Sequence, residues 1–112
     1  MTTGYEFHPE AETDLDEIWE YIAADNIDAA DRVSAEIRQA LDNLVRFPHT
    51  GHRRTDLTNW PLRFITVRDY LIAYAPDEKP LWVIAVMHGH RHPRVMAAIL
   101  RGREQPPAFF GR

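Results

Sequence analysis

The sequence predicts an α+β domain with the element order β-αα-βββ(α), in which a small, mainly antiparallel sheet carries an α-helical hairpin on one face. Two long stretches near the N-terminus repeat apolar residues every three or four positions, as amphipathic helices do. Three short stretches rich in β-branched and aromatic residues follow them, separated by short turns. The last of these stretches, residues 81–87, is apolar throughout, which indicates a central strand buried on both faces.

Composition limits the chain to one domain and excludes several classes of protein. At 112 residues it can build a single core. No segment approaches the roughly 20 apolar residues of a transmembrane helix, and the N-terminus lacks the basic and apolar regions of a signal peptide. The absence of cysteine excludes disulfides and thiolate chemistry. We therefore expect a cytoplasmic protein with a folded domain over residues 1–102 and a disordered tail over residues 103–112.

The first strand and the first helix follow each other directly. Residues 5–8 alternate apolar and polar side chains, which predicts a short half-buried strand. Pro9 suits the first turn of a helix, predicted here over residues 10–25. Its first turns carry acidic side chains, which favour the positive end of the helix dipole. The apolar face of this helix comprises Ala11, Leu15, Ile18, Trp19 and Ile22.

A second long helix is predicted over residues 27–47. Asn26 offers its N-cap and Pro48 stops it. The link between the two helices is so short that they should form an antiparallel hairpin. The apolar stripe of the second helix comprises Ala30, Val33, Ile37, Leu41 and Leu44.

The second half of the chain predicts a loop, a meander of three strands and a short helix. Residues 48–61 have loop composition. The strands are predicted over residues 62–67, 70–75 and 81–87, and the first strand should pair with one of them. Residues 93–101 predict a terminal helix that Gly102 ends. With a helical hairpin on one face, we expect the other face of the sheet and an edge strand to be available to a partner.

The net charge of −4 hides a polarised chain. Residues 1–47 carry 12 acidic and 3 basic side chains, whereas residues 48–112 carry 5 acidic and 10 basic ones. Five of the six histidines also lie in the second part. Such a chain can present a positive surface to an anionic partner although it is acidic as a whole.

The densest group of cationic and imidazole side chains, residues 88–94 (HGHRHPR), follows the last predicted strand. Alternate residues of a strand point to one side, so His88, His90 and His92 could converge on a metal ion. However, Gly89 and Pro93 indicate that the strand has already ended, and no cysteine or carboxylate completes a site. We therefore expect no metal and no cofactor.

Four stretches of the chain resemble, in their order and spacing, the RelE/ParE superfamily of toxins from type II toxin–antitoxin systems. They are residues 7–11 with 15–22, residues 44–51, residues 70–74 and residues 83–91. The long helical hairpin and the His-Gly-x-Arg end of the last strand make the chain more similar to ParE than to RelE. The resemblance covers the chain from about residue 5 to about residue 100.

The resemblance implies a cytoplasmic, growth-inhibiting toxin of the kind associated with plasmid stabilisation, neutralised by a cognate antitoxin. ParE-like toxins target DNA gyrase and trap it on cleaved DNA, whereas RelE-like toxins cut mRNA in the ribosome. A third hypothesis is an inactive relative that serves as a binding module. Toxin dimers and hetero-oligomers with the antitoxin are the assemblies that such a protein would form.

The sequence favours the gyrase hypothesis and a protein that is not an enzyme. RNA cleavage needs a base, an acid and cations, for which Arg63, His88 and Arg91 are the candidates. Yet Lys79 is the only lysine, and an acidic hairpin would repel ribosomal RNA. A gyrase-directed toxin needs only a contact surface. The candidate partner-binding residues are His88, His90, Arg91, Arg94, Phe64, Tyr70 and Tyr74.

Overall fold

A computed structural model describes residues 4–103 of the chain. The predicted α+β class and the β-αα-βββ(α) order are confirmed, and the predicted ends of the elements differ from the observed ones by one or two residues. The elements are β1 (Tyr5–Phe7), α1 (Pro9–Ala23), α2 (Ile27–Arg46), a 3₁₀ turn (Pro48–Thr50), β2 (Arg63–Val67), β3 (Tyr70–Ala75), β4 (Leu81–His88) and α3 (Pro93–Gly102).

The four strands form one sheet in the order β1-β4-β3-β2. The strand β1 pairs with β4 in parallel, while the β2–β3 and β3–β4 pairs are antiparallel. Consequently β4 lies inside the sheet and is buried on both faces, as its unbroken apolar sequence predicts.

Both helices of the hairpin begin at capped residues and bury the predicted apolar stripes. The His8 imidazole Nδ1 accepts a hydrogen bond from the Glu10 backbone N–H at 3.0 Å, and the Asn26 side chain accepts one from Ala29 at 3.0 Å. Each cap satisfies an N–H group that a helix leaves unpaired. The core between hairpin and sheet includes Ala11, Leu15, Ile18, Val33, Ile37, Leu41, Leu44, Tyr70, Ile72, Tyr74, Val83 and Val86.

The second face of the sheet is covered, so the expectation that it is available to a partner is wrong. Met96 and Leu100 of α3 pack on this face, and they are joined there by Leu57 and Leu62 from the loop before β2. The apolar residues of α3 recur at helical spacing, and burying them against the sheet removes them from water. The strand residues on this face are Phe64, Leu71, Ala73, Ala75, Ile84, Ala85 and Met87.

A β-bulge interrupts β4 at its centre. Ala85 pairs with Ala73, but the next residue of β3, Tyr74, pairs with Val83, so Ile84 is the extra residue. Ile84 and Ala85 therefore both contribute to the core under α3, while Val83 and Val86 face the helical hairpin. A bulged residue is left out of the regular ladder and needs other partners for its backbone groups.

The strand β1 is much shorter than β4 and covers only the first part of it. The register runs from Tyr5 opposite Leu81 to Phe7 opposite Val83, and the His8 N–H donates to the Val83 carbonyl at 2.8 Å. Beyond Val83, this edge of β4 has no strand beside it among residues 4–103. The edge from Ile84 to His88 is the frame of the candidate site.

The folded domain extends one residue further than the sequence predicts. Most of the predicted tail lies outside the described residues, but its first residue, Arg103, is buried and is therefore part of the folded domain. Among the described helices, none has the length and apolar character needed to cross a membrane.

Candidate interaction groove and basic turn

A groove of about 370 Å³ runs between α1, the uncovered edge of β4 and α3. The helix α1 contributes one wall, the strand β4 the floor, and α3 with the turn before it the other wall. The lining residues are Asp14, Glu17, Ile18 and Tyr21 from α1, Val86, Met87 and His88 from β4, and Arg91, Ile99 and Arg103 from the C-terminal part. Arg91 and Arg103 are the two cationic residues that line it, and their surroundings differ completely.

Asp14 and Arg103, which we call the closing pair, bind the backbone of β4 as well as each other. The Arg103 Nη1 and Nη2 atoms donate to the two Asp14 carboxylate oxygens at 2.7 and 3.0 Å, a fork-to-fork geometry. Asp14 Oδ2 also accepts a hydrogen bond from the Val86 N–H at 2.9 Å. Arg103 Nη1 donates to the Ile84 carbonyl at 2.9 Å. Two backbone groups on the uncovered edge of β4, the Ile84 carbonyl and the Val86 N–H, are thus hydrogen-bonded by side chains.

Burial and the neighbouring carboxylates shift the pKa of Arg103 in opposite directions. The Arg103 side chain is 8% exposed, which by itself lowers its pKa. The carboxylates of Asp14 and Glu10 outweigh this effect and raise the pKa of Arg103 above its usual value. The guanidinium is therefore a permanent charge, and its burial is tolerable only while the carboxylates are beside it.

Aromatic side chains occupy the groove near the end of β4. The His88 ring lies 5.0 Å from the Tyr70 ring, and burial raises the pKa of Tyr70, with a further contribution from Asp69. Tyr21 lines the groove from α1 and is 76% exposed, which is unusual for a large aromatic side chain. His88 and Tyr21 are therefore accessible in the groove, whereas Tyr70 is a core residue that supports His88.

Residues 88–94, which we call the basic turn, lie at the same end of the sheet as the β2–β3 turn. The Gly89 N–H donates to the Asp69 carbonyl at 2.7 Å, and His90 lies 3.6 Å from an Asp69 carboxylate oxygen. Arg91 and Arg94 are exposed. Within the part of the chain that the structure describes, their guanidinium groups form no hydrogen bond or ion pair.

The three histidines of the basic turn have different environments. His88 packs on Tyr70, and His90 pairs with Asp69. The His92 Nδ1 atom accepts a hydrogen bond from the Arg94 N–H at 3.1 Å and so caps α3. Among residues 4–103, no group of three histidine, cysteine or acidic side chains is arranged to hold a metal ion.

Arg63 lies far from His88 and Arg91. It begins β2 opposite Tyr74, whereas His88 is opposite Tyr70, which precedes Tyr74 by four residues in β3. At the usual rise per residue this is about 13 Å along the strands. The Arg63 Nη1 atom donates to the Gly51 carbonyl at 2.8 Å, so its contact belongs to the loop before β2. The three candidates for RNA cleavage are therefore not brought together.

The aromatic candidates for partner binding are buried within the chain itself. Tyr74 is completely buried, and its hydroxyl donates to the Pro48 carbonyl at 2.7 Å while accepting from the Gly51 N–H at 2.9 Å. Phe64 lies in the core under α3. Burial removes the side chains of Phe64, Tyr70 and Tyr74 from the surface, so the structure does not expose these three as the contact surface that the sequence predicts. The accessible candidates are His88, His90, Arg91 and Arg94.

The closing pair was missed by the sequence analysis, although one signal was present. Asp14 falls three residues after Ala11 and four before Ile18, which places a carboxylate on the edge of the buried face of α1. A charged residue in such a position calls for a buried partner. Nothing in the sequence indicates that the partner lies 89 residues away.

Comparisons with known proteins identify the family of the chain. Residues 5–93 match the family model described as the ParE toxin of the type II toxin–antitoxin system parDE. A relative from Sinorhizobium fredii (strain NBRC 101917 / NGR234), named "Putative toxin Y4kP", is 35% identical over 89 residues, which cover 73% of this chain and 84% of the relative. The chain belongs to the ParE toxin family of type II toxin–antitoxin systems.

Proposed function

We propose that this protein is a cytoplasmic toxin that inhibits growth by poisoning DNA gyrase and that a cognate antitoxin neutralises it. Membership of the ParE family supports the toxin role and implies an antitoxin partner. A protein target is supported chiefly by the basic turn. Its arginines Arg91 and Arg94 are exposed and have no ion-pair partner among residues 4–103. Exposed arginines of this kind are common anchors of protein interfaces.

The groove supplies a second argument for a protein partner. Tyr21, His88 and Arg91 line one accessible end of it, and such amphipathic side chains are enriched where proteins bind each other. Since an antitoxin can neutralise such a toxin by covering its contact surface, we propose that it covers this end of the groove, including Arg91. The antitoxin and gyrase would then compete for this one surface of the toxin.

The ribosome-dependent ribonuclease of RelE type remains the competing hypothesis, and the distribution of charge argues against it. Residues 1–47, which include both helices of the hairpin, carry 12 acidic and 3 basic side chains. The RNA phosphates would repel this acidic surface, which would weaken binding of the protein to ribosomal RNA. In addition, Arg63 is engaged with Gly51 and lies at the other end of the sheet from His88.

The deciding experiment is induction of the chain in cells with translation and DNA integrity followed side by side. Gyrase poisoning predicts a DNA-break response and cleaved chromosomes while translation continues. Early translation arrest with intact chromosomes contradicts the proposal and supports a ribonuclease. Induction without any effect on growth supports the hypothesis of an inactive binding module.

A matched set of variants assigns the effect to the basic turn. We expect Arg91→Ala with Arg94→Ala to abolish toxicity in cells and inhibition of purified gyrase, while the protein accumulates normally. Arg53→Ala is the control, because Arg53 is also exposed but lies in the loop before β2. Equal loss of toxicity in the control, or full toxicity of the double variant, contradicts a role for the basic turn.

A further inference from the structure

The uncovered edge of β4 presents backbone groups of both polarities beyond the end of β1. The Val86 N–H is a donor and the Ile84 carbonyl is an acceptor, and no strand lies beside them among the described residues. An open strand edge of this kind is a template on which another chain can add a strand. An edge of a natural sheet therefore needs a device that prevents unwanted pairing.

Each side chain of the closing pair has the polarity that its position on the edge requires. Asp14, which can only accept, receives the hydrogen bond of the Val86 N–H at 2.9 Å. Arg103, which can only donate, gives its hydrogen bond to the Ile84 carbonyl at 2.9 Å. The two side chains then neutralise each other through two further bonds. This is the arrangement of acceptor and donor that an added strand would provide.

We propose that the closing pair takes the place of a missing strand and keeps the Ile84–Val86 edge of β4 from accepting a strand of another chain. The cover comes from two elements that are far apart in sequence, the first half of α1 and the end of α3. A partner that enters the groove therefore meets an edge whose donor and acceptor are already occupied. Its contacts must be made through side chains such as Tyr21, Arg91 and Ile99.

An exchange of the two charges separates this role from that of an ordinary buried ion pair. The single variants Asp14→Ala and Arg103→Ala should each raise the equilibrium constant for unfolding on the order of a hundredfold, because one buried charge loses its partner. The exchange Asp14→Arg with Arg103→Asp restores the ion pair but sets donor against donor at Val86 and acceptor against acceptor at Ile84. We expect it to remain as unstable as the single variants. Recovery to nearly wild-type stability overturns the proposal.

Hydrogen exchange of single amides tests the cover in variants that keep the fold. Backbone N–H groups of successive strand residues point to opposite edges of the strand, so the Met87 N–H points to β3 when the Val86 N–H points to the uncovered edge. We expect the Val86 amide of the wild-type protein to exchange as slowly as the Met87 amide. Asp14→Leu should accelerate exchange at Val86 by roughly tenfold relative to Met87, the equivalent of one lost hydrogen bond. Asp14→Asn is the matched control, since its side-chain oxygen can still accept. Fast exchange at Val86 in the wild type, or no acceleration in Asp14→Leu, overturns the proposal.

Discussion

Two arginines line the groove, and they illustrate opposite uses of the same side chain. Arg91 belongs to the densest cationic cluster of the sequence, yet it is exposed and makes no ion pair within residues 4–103. Arg103 stands where the sequence analysis expected a disordered tail, yet it is buried and contacts Asp14, Glu10 and the Ile84 carbonyl. Arg91 is therefore available to a partner, whereas Arg103 joins the end of α3 to α1 and β4.

The density of charge along a sequence therefore does not indicate which charges are structural. Charges that are neighbours in sequence repel each other and remain in solvent, where each contributes little to stability. A buried charge needs a partner of opposite sign, and the fold supplies that partner from a distant element.

The largest effect is expected from Arg103→Ala. It leaves the Asp14 carboxylate partly buried without its cation and the Ile84 carbonyl without a donor, which should lower the free energy of unfolding by about 3 kcal/mol. Urea unfolding measures this. Arg101→Ala, at an exposed arginine of α3 two residues earlier, should change stability by less than about 0.5 kcal/mol. Equal effects of the two substitutions would remove the distinction between the buried and the exposed arginines.

The next largest loss of stability is expected from Gly51→Ala. The carbonyl of Gly51 accepts the hydrogen bond of Arg63. A Cβ atom at Gly51 would lie 2.6 Å from the Tyr74 hydroxyl and 2.7 Å from the Phe64 carbonyl, so the loop must shift. We expect a loss of about 1–3 kcal/mol in urea unfolding. Gly102→Ala is the control, because a Cβ there meets no atom within 4 Å. A stable Gly51→Ala protein would show that this loop is not tightly packed.

A smaller effect, dependent on pH, is expected from the buried His8. Burial lowers the pKa of His8 below 6.5; Glu10 and Asp14 oppose this shift and Arg103 reinforces it. Because the unfolded chain then binds a proton more readily, His8 contributes fully to stability above about pH 6.5 and loses that contribution as the pH falls below it. Unfolding in urea at about pH 7.5 and about pH 5.5 measures the difference.

His8→Asn is the control for this titration. An asparagine oxygen can still accept from the Glu10 N–H and cap α1, but it has no proton to bind in this range. The part of the pH dependence that belongs to His8 should therefore disappear in this variant. An unchanged pH dependence would assign it to other groups.

The smallest effect on stability is expected from the double substitution Arg91→Ala with Arg94→Ala. Both guanidinium groups are exposed and have no ion-pair partner among the described residues, so the free energy of unfolding should change by less than about 0.5 kcal/mol. If toxicity is lost at the same time, the basic turn is a binding surface. A large loss of stability would instead make it part of the structure, like Arg103.

Most of the fold could be predicted because its elements have clear apolar periodicity. The helices show apolar residues at every third or fourth position, and β4 shows the continuous apolar run of a central strand. The covering of the second face by α3 could also have been inferred, since Met96 and Leu100 are spaced for one helical face. What the pattern could not indicate is the bulge at Ile84, because it depends on pairing with β3.

The candidate site was predicted only in part. The exposure of the basic turn follows from its polar sequence and from the Gly89 and Pro93 that end the strand. The burial of Tyr74 and the use of Arg63 depend on Gly51, 23 residues before Tyr74, and such contacts leave no local trace. The closing pair is the extreme case, since 89 residues separate its members.

The position of Arg103 also sets an order of events during synthesis of the chain. Chains grow from the N-terminus at about 5–20 residues per second, so the fifteen residues from His88 to Arg103 take about one to three seconds to add. Until Arg103 has been added, the cation that joins Asp14 to the Ile84 carbonyl does not exist, so the closing pair forms only after almost all of the described domain has been made. The cover of this sheet edge is therefore completed last, and a chain that stops before Arg103 lacks the donor that the Ile84 carbonyl uses.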